Sequence, residues 1–277
     1  MTRPGRLVGR TCLIVGGTGG IGLATAERFL EEGASVVVAG KAGEEFEEAR
    51  RRLVRFDAAR VEIADVTDVA SIENVFERSK EHLGDRLDVL FHVAGISGRR
   101  FGDGPLHDCS ETGWNVVMET NLKGMFLTNR AAVRQMRSQS IDASGLRGTV
   151  LNLGSVLGWS PSPALFGTFA YAASKGAAQA MTLSAAALYA PERIRFHLIA
   201  PGLIETPMAA RACQDPEILQ YLATKQPMAT GPGSPADVAE AALFLCEPST
   251  RFLNGVVLNV DGGWCVSEGQ LRDRTDS

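Results

Sequence analysis

The sequence has no basic excess, no long apolar run, and few cysteines and histidines. It carries 28 Lys+Arg against 32 Asp+Glu, for a formal net charge of −4. That mild acidity lacks the electrostatic footprint of a nucleic-acid binder, so no nucleic-acid partner is expected. No apolar stretch approaches the roughly 20 residues of a membrane-spanning helix, and no membrane partner is expected either. Residues 1–10 hold charges but no apolar segment ahead of a cleavage site, unlike a secretory signal. The five cysteines (Cys12, Cys109, Cys213, Cys246 and Cys265) are odd in number, far apart and without a C-x-x-C pair. They make neither a zinc site nor a disulfide framework, and a reducing cytoplasm is the expected compartment. His82, His92, His107 and His197 show no metal-ligand spacing, so no metal is expected.

Glycine is the residue in excess, with 30 in a chain of 277, many in short clusters. At 45% hydrophobic and 22% charged residues, the chain has an ordinary globular composition. Short apolar runs alternate with helical periodicity. Strands are expected at Thr11–Val15, Ser35–Ala39, Val61–Ile63, Val89–Val93, Thr149–Leu153, Ile194–Ile199 and Val256–Val260. Helices are expected at Ile21–Glu32, Glu44–Phe56, Asp68–Leu83, Glu111–Met136, Tyr171–Tyr189 and Ala236–Leu245. Glu44–Phe56 begins with acids and ends with arginines, the order a helix dipole favours. Strand-then-helix repetition implies an α/β fold: a doubly wound, mostly parallel, seven-stranded Rossmann-type sheet covered on both faces. No linker divides the chain. Residues 1–277 read as one domain with a core of about 7–265 and a polar tail at 268–277. Ser138–Gly148 and Pro207–Pro235 read as loops, the latter as a lid.

Gly16, Gly17, Thr18, Gly19, Gly20, Ile21 and Gly22 connect the first strand to the first helix. At that turn glycines admit a pyrophosphate to the backbone, and the helix N-terminus supplies amides and a positive dipole end. The spacing fits both G-x-x-x-G-x-G and G-x-x-G-x-x-G, so the loop alone does not choose between them. Tyr171 and Lys175, four apart, lie on one helix face. A neighbouring ammonium favours the phenolate and lowers a tyrosine pKa, which suits proton exchange with a carbonyl or hydroxyl oxygen; taken alone, the pair reads more simply as a surface pair with no role, and Ser155 is what shifts the balance. Ser155 follows the Thr149–Leu153 strand, at the edge where ligands bind, and its hydroxyl suits holding the same oxygen; the bland alternative is a turn or helix-cap serine.

From about Leu7 to Gly263 these residues resemble the short-chain dehydrogenase/reductase family. The loop matches T-G-x-x-x-G-I-G with Val15 in place of Thr, and Tyr171–Lys175 matches Y-x-x-x-K. Asp65, followed by Val66, matches the aspartate near the adenine. His92-Val93-Ala94-Gly95 matches N-N-A-G with both asparagines replaced. Asn121, Ser155 and the segment Pro201, Gly202, Leu203, Ile204, Glu205, Thr206 match the helix asparagine, the catalytic serine and the nicotinamide-amide segment. The resemblance implies hydride transfer between NAD(P) and a ketone or secondary alcohol. Tyr171 would be the general acid/base, and Lys175 would lower its pKa and bond the nicotinamide ribose. Ser155 would orient the substrate oxygen, and Asn121 would help hold a relay water. The missing asparagines put the usual polar tie of that strand in doubt. A long Ser155–Tyr171 gap implies an enlarged loop at Gly158–Phe169.

Where NAD-specific relatives usually carry an acid, this chain has Gly40, followed by Lys41, which suits a 2′-phosphate; NADP is favoured over NAD. Leu157, Trp159, Leu165, Phe166, Phe169, Leu203 and Met208 suggest an apolar small-molecule substrate. A homo-oligomer, tetramer or dimer, is expected through the two long helices. Two other readings are a non-catalytic NADP-binding sensor and a nucleotide-sugar epimerase or dehydratase. The first has no need of the proton-transfer set, and the second usually has a larger C-terminal region than follows Val260.

Overall fold

The computed structural model of the protein describes residues 5–229 and 231–269. Seven strands make one sheet: β1 (Thr11–Val15), β2 (Ser35–Gly40), β3 (Ala59–Ile63), β4 (Val89–His92), β5 (Gly148–Leu153), β6 (Ile194–Pro201) and β7 (Val257–Val260). Their order is β3-β2-β1-β4-β5-β6-β7, and every pairing is parallel. The expected fold class is the observed one. β1, β2, β4, β5 and β6 are buried almost throughout because helices cover both sheet faces, which is why they read as continuous apolar runs.

Ten α-helices follow in chain order among the described residues. They are α1 (Gly20–Glu31), α2 (Glu44–Leu53), α3 (Val69–Leu83), α4 (Glu111–Val117), α5 (Gly124–Ser138), α6 (Pro163–Phe166), α7 (Phe169–Tyr189), α8 (Ala210–Gln214), α9 (Pro216–Lys225) and α10 (Pro235–Cys246). Successive strand residues point to opposite faces, so each strand feeds two cores. Ile14, Val38 and Phe91 pack with Phe29 of α1 and Leu243 of α10. Leu13, Val37 and Leu90 pack on the other face with Phe76 of α3 and Met136 of α5. A third cluster joins Met125, Val156 and Leu198 to Tyr221 of α9 and to Trp264.

Three expectations change. The single helix expected over Glu111–Met136 is α4 and α5 joined by a wide π turn at Met118–Lys123. The loop expected over Pro207–Pro235 carries α8 and α9; Asp215 caps α9, accepting from the Glu217 and Ile218 amides, and Pro216 occupies its first position. The loop expected at Gly158–Phe169 contains the one-turn α6, and α7 starts at Phe169, two residues before Tyr171. The polar tail expected from residue 268 lies outside the described residues from residue 270 onward.

Strand order reverses between β1 and β4, and the carboxyl ends of these two strands open the crevice where an open α/β sheet takes its ligand. The glycine loop leaves β1 there, and Ala94 and Gly95 follow β4.

Candidate active site

Close backbone packing shapes the glycine loop. A Cβ on Gly16 would lie 2.3 Å from the Ala94 nitrogen, and one on Gly22 would lie 2.3 Å from the Gly16 carbonyl oxygen. Gly16 also has a φ of +83°, in the left-handed region that glycine tolerates. Gly19, at the N-cap of α1, gives no side-chain cap, and the first turn of α1 has no acidic residue. Its leading amides are thus left uncapped by its own first turn, which suits a diphosphate, although the Glu45 carboxylate stands against Gly19, 2.8 Å from where a Cβ would be. Gly20 faces Thr206, whose Cγ2 would be 3.1 Å from a Cβ on Gly20, so the segment after β6 closes over the loop. That segment is tied in place. Gly202 donates to the Val260 carbonyl at 3.0 Å, and Ile204 bridges to Gly233. The predicted residues Gly16 to Gly22 and Pro201 to Thr206 therefore converge, and their donor set and bare backbone fit a dinucleotide. Ile21 is buried in the first turn of α1.

At the far end of β2, Gly40 is tightly enclosed: a Cβ there would lie 2.3 Å from the Thr18 Oγ1. Lys41 is exposed and pairs with Asp65 at 3.0 Å. The Asp65 carboxylate also accepts from the Thr67 amide and hydroxyl at 2.9 and 2.7 Å. Burial pushes its pKa up, but these bonds and Lys41 outweigh burial and hold it below the ordinary value. Val66 is buried against Gly124.

Ser155, Tyr171 and Lys175 come together at the carboxyl edge of β5. Gly158 and Gly176 allow this: a Cβ on Gly158 would sit 2.9 Å from the Gly176 nitrogen, so the turn after Ser155 lies directly on α7. Ser155 Oγ accepts from the Leu157 amide at 3.2 Å, so it does cap a short turn, and its hydroxyl also bears on the titration of the Tyr171 phenol. Lys175 is buried, and its Nζ donates to the Leu153 carbonyl at 2.9 Å and stands 5.6 Å from the Tyr171 ring centre. Burial lowers the Lys175 pKa to about 8. The Tyr171 pKa runs against expectation. Burial raises it, and Ser155, rather than Lys175, opposes the rise. A four-residue spacing reveals a neighbouring charge but carries no mark of burial.

Asn121 lies in the π turn, buried. Its Oδ1 accepts from the Ile96 amide at 2.8 Å, and its Nδ2 donates to the Ile96 carbonyl at 3.0 Å and to Ser174 Oγ at 3.2 Å. The side chain thus clamps the strand-end segment to α7. Gly95 lies beside it, where a Cβ would meet Asn121 Oδ1 at 3.3 Å and Lys175 Nζ at 3.6 Å. Of the two residues standing for the asparagines, His92 makes a polar bond and leaves its buried Nε2 without a partner among the described residues. His92 is fully buried, with Nδ1 2.8 Å from Thr128 Oγ1 of α5. Its pKa falls to about 3 through burial and the Lys175 charge, so it is neutral.

The predicted pocket residues divide. Leu157, Phe166 and Leu203 are partly buried on the third core cluster, with Trp159 and Leu165. Phe169 and Met208 are exposed, at 43% and 53%. Sequence reasoning missed the centre of that cluster. Trp264 is buried, with the rings of Phe166 and Tyr221 edge-on at 5.6 and 5.9 Å. Its partners are far away in sequence, and no local pattern marks it. The reading also missed Asp103, whose carboxylate accepts from the Ala170 and Tyr171 amides, both at 3.0 Å.

A crevice of this kind brings a nicotinamide dinucleotide and an oxygen-bearing carbon together, and the class it defines is the NAD(P)-dependent oxidoreductases acting on CH–OH groups. The chain belongs to the short-chain dehydrogenase/reductase family. Residues 16–265 match the family model described as enoyl-(acyl carrier protein) reductase. It is 34% identical over 264 residues to the 2,5-dichloro-2,5-cyclohexadiene-1,4-diol dehydrogenase LinX of Sphingobium indicum, covering 94% of this chain and 98% of that one. It is 32% identical over 261 residues to the NADP-dependent (R)-specific alcohol dehydrogenase of Lentilactobacillus kefiri, covering 94% and 98%. The solved structure of gox2181 superposes with a TM-score of 0.83 at 29% identity, covering 94% of this chain and 96% of that one. No helix among the described residues is long and apolar enough to cross a membrane.

Proposed function

We propose that the protein reduces an apolar ketone, or oxidises the matching secondary alcohol, with NADP(H), using Tyr171 as the proton-transfer group. The observation that carries this reading is the seating of Ser155, Tyr171 and the buried Lys175 together at the carboxyl edge of β5, where the turn after Ser155 packs on α7 at Gly176 and Lys175 Nζ stands 5.6 Å from the Tyr171 ring centre. The nicotinamide, when bound, supplies or accepts the hydride. Tyr171 gives its phenolic proton to the substrate oxygen in reduction and takes it back in oxidation. Ser155 donates to the same oxygen and holds it in line. Lys175 keeps its charge at neutral pH and is the counter-ion for the phenolate left behind; it also faces the ribose side of the crevice beside Gly95. Asn121 fixes the Ala94–Ile96 backbone along which the nicotinamide half would lie. Gly16 to Gly22 would hold the diphosphate, Asp65 and Val66 the adenine side, and Pro201 to Thr206 the carboxamide.

The NADP preference rests on Gly40 and Lys41. Gly40 puts no carboxylate of its own against a 2′-phosphate and leaves no room for one beside Thr18, while Glu44, Glu45 and Glu48 line the adjoining crevice and weaken the positive patch around Lys41. The Lys41–Asp65 pair is exposed, at 66% and 40%, and such pairs are worth at most about 1 kcal/mol. A phosphate dianion therefore competes well for Lys41. Leu157, Phe166, Phe169, Leu203 and Met208 give the substrate side its apolar character. Trp114, Phe126, Leu183 and Leu188, exposed on α4, α5 and α7, support a homo-oligomer, tetramer or dimer, and the cysteine pattern supports a cytoplasmic setting. A redox sensor would need no Ser–Tyr pair, and relatives named as dehydrogenases and a reductase do not favour an epimerase or dehydratase.

Fluorescence titration with NADPH and NADH, for the wild type and Lys41→Ala, tests the cofactor reading. NADPH is expected to bind more tightly, and Lys41→Ala to remove that advantage while leaving NADH binding as it was. Equal binding of both nucleotides by the wild type overturns the preference. Reduction of a panel of cyclic and aryl ketones with NADPH, lost in Tyr171→Phe, tests the chemistry.

A further inference from the structure

Four helices carry caps from residues at their own N-termini: Asp68 on α3, Ser110 on α4, Asp215 on α9 and Ser234 on α10. The helix that carries Tyr171 does not. Thr168, at the N-cap of α7, makes no side-chain cap bond. The first three amides of α7 are instead satisfied from a distant segment. Phe169 donates to the Gly104 carbonyl at 3.2 Å, Ala170 to Asp103 Oδ1 at 3.0 Å and Tyr171 to Asp103 Oδ2 at 3.0 Å. The bond to Oδ2 thus comes from the backbone of the proton-transfer residue itself.

Asp103 is held as firmly as it holds. It is 5% exposed, and its amide donates to the Gly98 carbonyl at 3.2 Å. A Cβ on Gly113 would lie 2.6 Å from the Asp103 nitrogen, and one on Gly98 would lie 2.8 Å from its Cβ, so backbone encloses it on two sides. Cys109 Sγ lies 3.7 Å from Oδ1. The adjoining Gly102 carbonyl accepts from Ser110, the cap of α4, which leads into the π turn that bears Asn121.

We propose that Asp103 is a positioning residue for Tyr171: its two carboxylate oxygens set where the first turn of α7 stands relative to Ser155 and the crevice. The proposal rests on Tyr171 being the proton-transfer group. Both oxygens are needed, because each faces an N–H. An asparagine keeps one acceptor and turns its NH2 against the other amide. A displacement of about 1 Å at a reacting group costs on the order of 100-fold in rate, so loss of this clamp should appear in turnover.

The test compares wild type, Asp103→Asn, Tyr171→Phe and the double variant in NADPH-dependent reduction of the panel ketone that the wild type turns over fastest. Asp142→Asn is the control for destabilisation alone. Asp142 ties Arg10 and the Ser144 and Leu146 amides at the amino edge of the sheet, away from the site. The expected result is a 10- to 100-fold lower kcat in Asp103→Asn, with KM and NADPH affinity within about threefold of wild type. In the Tyr171→Phe background the same change should cost nothing further, and Asp142→Asn should keep its kcat. A near-wild-type kcat in folded Asp103→Asn, with Tyr171→Phe inactive, overturns this proposal alone. So does an equal loss in the Tyr171→Phe background. Wild-type turnover by Tyr171→Phe overturns the reading of Tyr171 and this proposal with it. Should Asp103→Asn not fold, Asp103→Glu carries the test, since it keeps both oxygens and moves them by one methylene; an unchanged kcat there overturns the proposal.

Discussion

Replacing Lys175 by methionine should destroy turnover and yet stabilise the fold at neutral pH. The side chain is 3% exposed, and its pKa falls from 10.5 to about 8 because burial disfavours the ammonium. At about 1.4 kcal/mol per pH unit, holding that proton inside the fold costs about 3 kcal/mol at pH 7. Methionine fills similar space without the charge. Against this gain stands the lost bond from Nζ to the Leu153 carbonyl, worth about 2 kcal/mol while the donor is charged and about 1 kcal/mol once it is neutral. The expected net gain at pH 7 is about 1 kcal/mol. The sign with pH follows from proton counting. Between pH 8 and 10.5 the unfolded chain holds the lysine proton and the fold does not, so this residue's contribution to wild-type stability rises with pH across that window. By pH 10 the cost has fallen to about 1 kcal/mol and the methionine advantage is gone. Urea unfolding of both proteins without nucleotide at pH 7, 8.5 and 10 measures this. Parallel stability curves for the two proteins would refute the reasoning, because they would mean that the ammonium is not desolvated.

Gly40→Asp should not convert the protein into a tight NADH binder, because its Cβ would lie 2.3 Å from Thr18 Oγ1; nucleotide titration should show weaker binding of both cofactors, and adding Thr18→Gly should restore NADH binding. Trp264→Ala should cost about 3–5 kcal/mol in denaturant unfolding, since the ring is buried among Phe166 and Tyr221. The same change should raise KM for the ketone more than it lowers kcat, because Phe166 loses its backing; an unchanged KM would remove Phe166 from the substrate wall.

The strands were legible because burial on two faces leaves an apolar signature that does not depend on where neighbouring elements lie. β1 appears with the bounds its sequence predicts, Thr11–Val15. The glycine loop and the Tyr171–Lys175 spacing were equally local. What stayed hidden was held together over distance. The start of α7 was misplaced by two residues because its first acceptors come from Asp103 and Gly104, more than 60 positions earlier. Trp264 follows the last strand and gave no sign of seating a residue from α6. The helices after Pro207 were a different kind of miss. Asp215 followed by Pro216 is a helix-start signal, and the proline and glycine content obscured it.

The π turn at Met118–Lys123 has a consequence for how this helical stretch tolerates change. An α-helix advances about 100° per residue, so one additional residue in a turn rotates everything beyond it by that angle. α4 and α5 are thus two stretches of helix out of phase, with Asn121 in the slip between them. Deleting one residue there would give a more regular helix and a worse enzyme. It would swing Asn121 away from Ile96, or else turn Met125, Val133 and Met136 out of the core. Point substitutions can accumulate along the exposed flanks of this stretch, but its length between Ser110 and Asn129 is fixed by geometry.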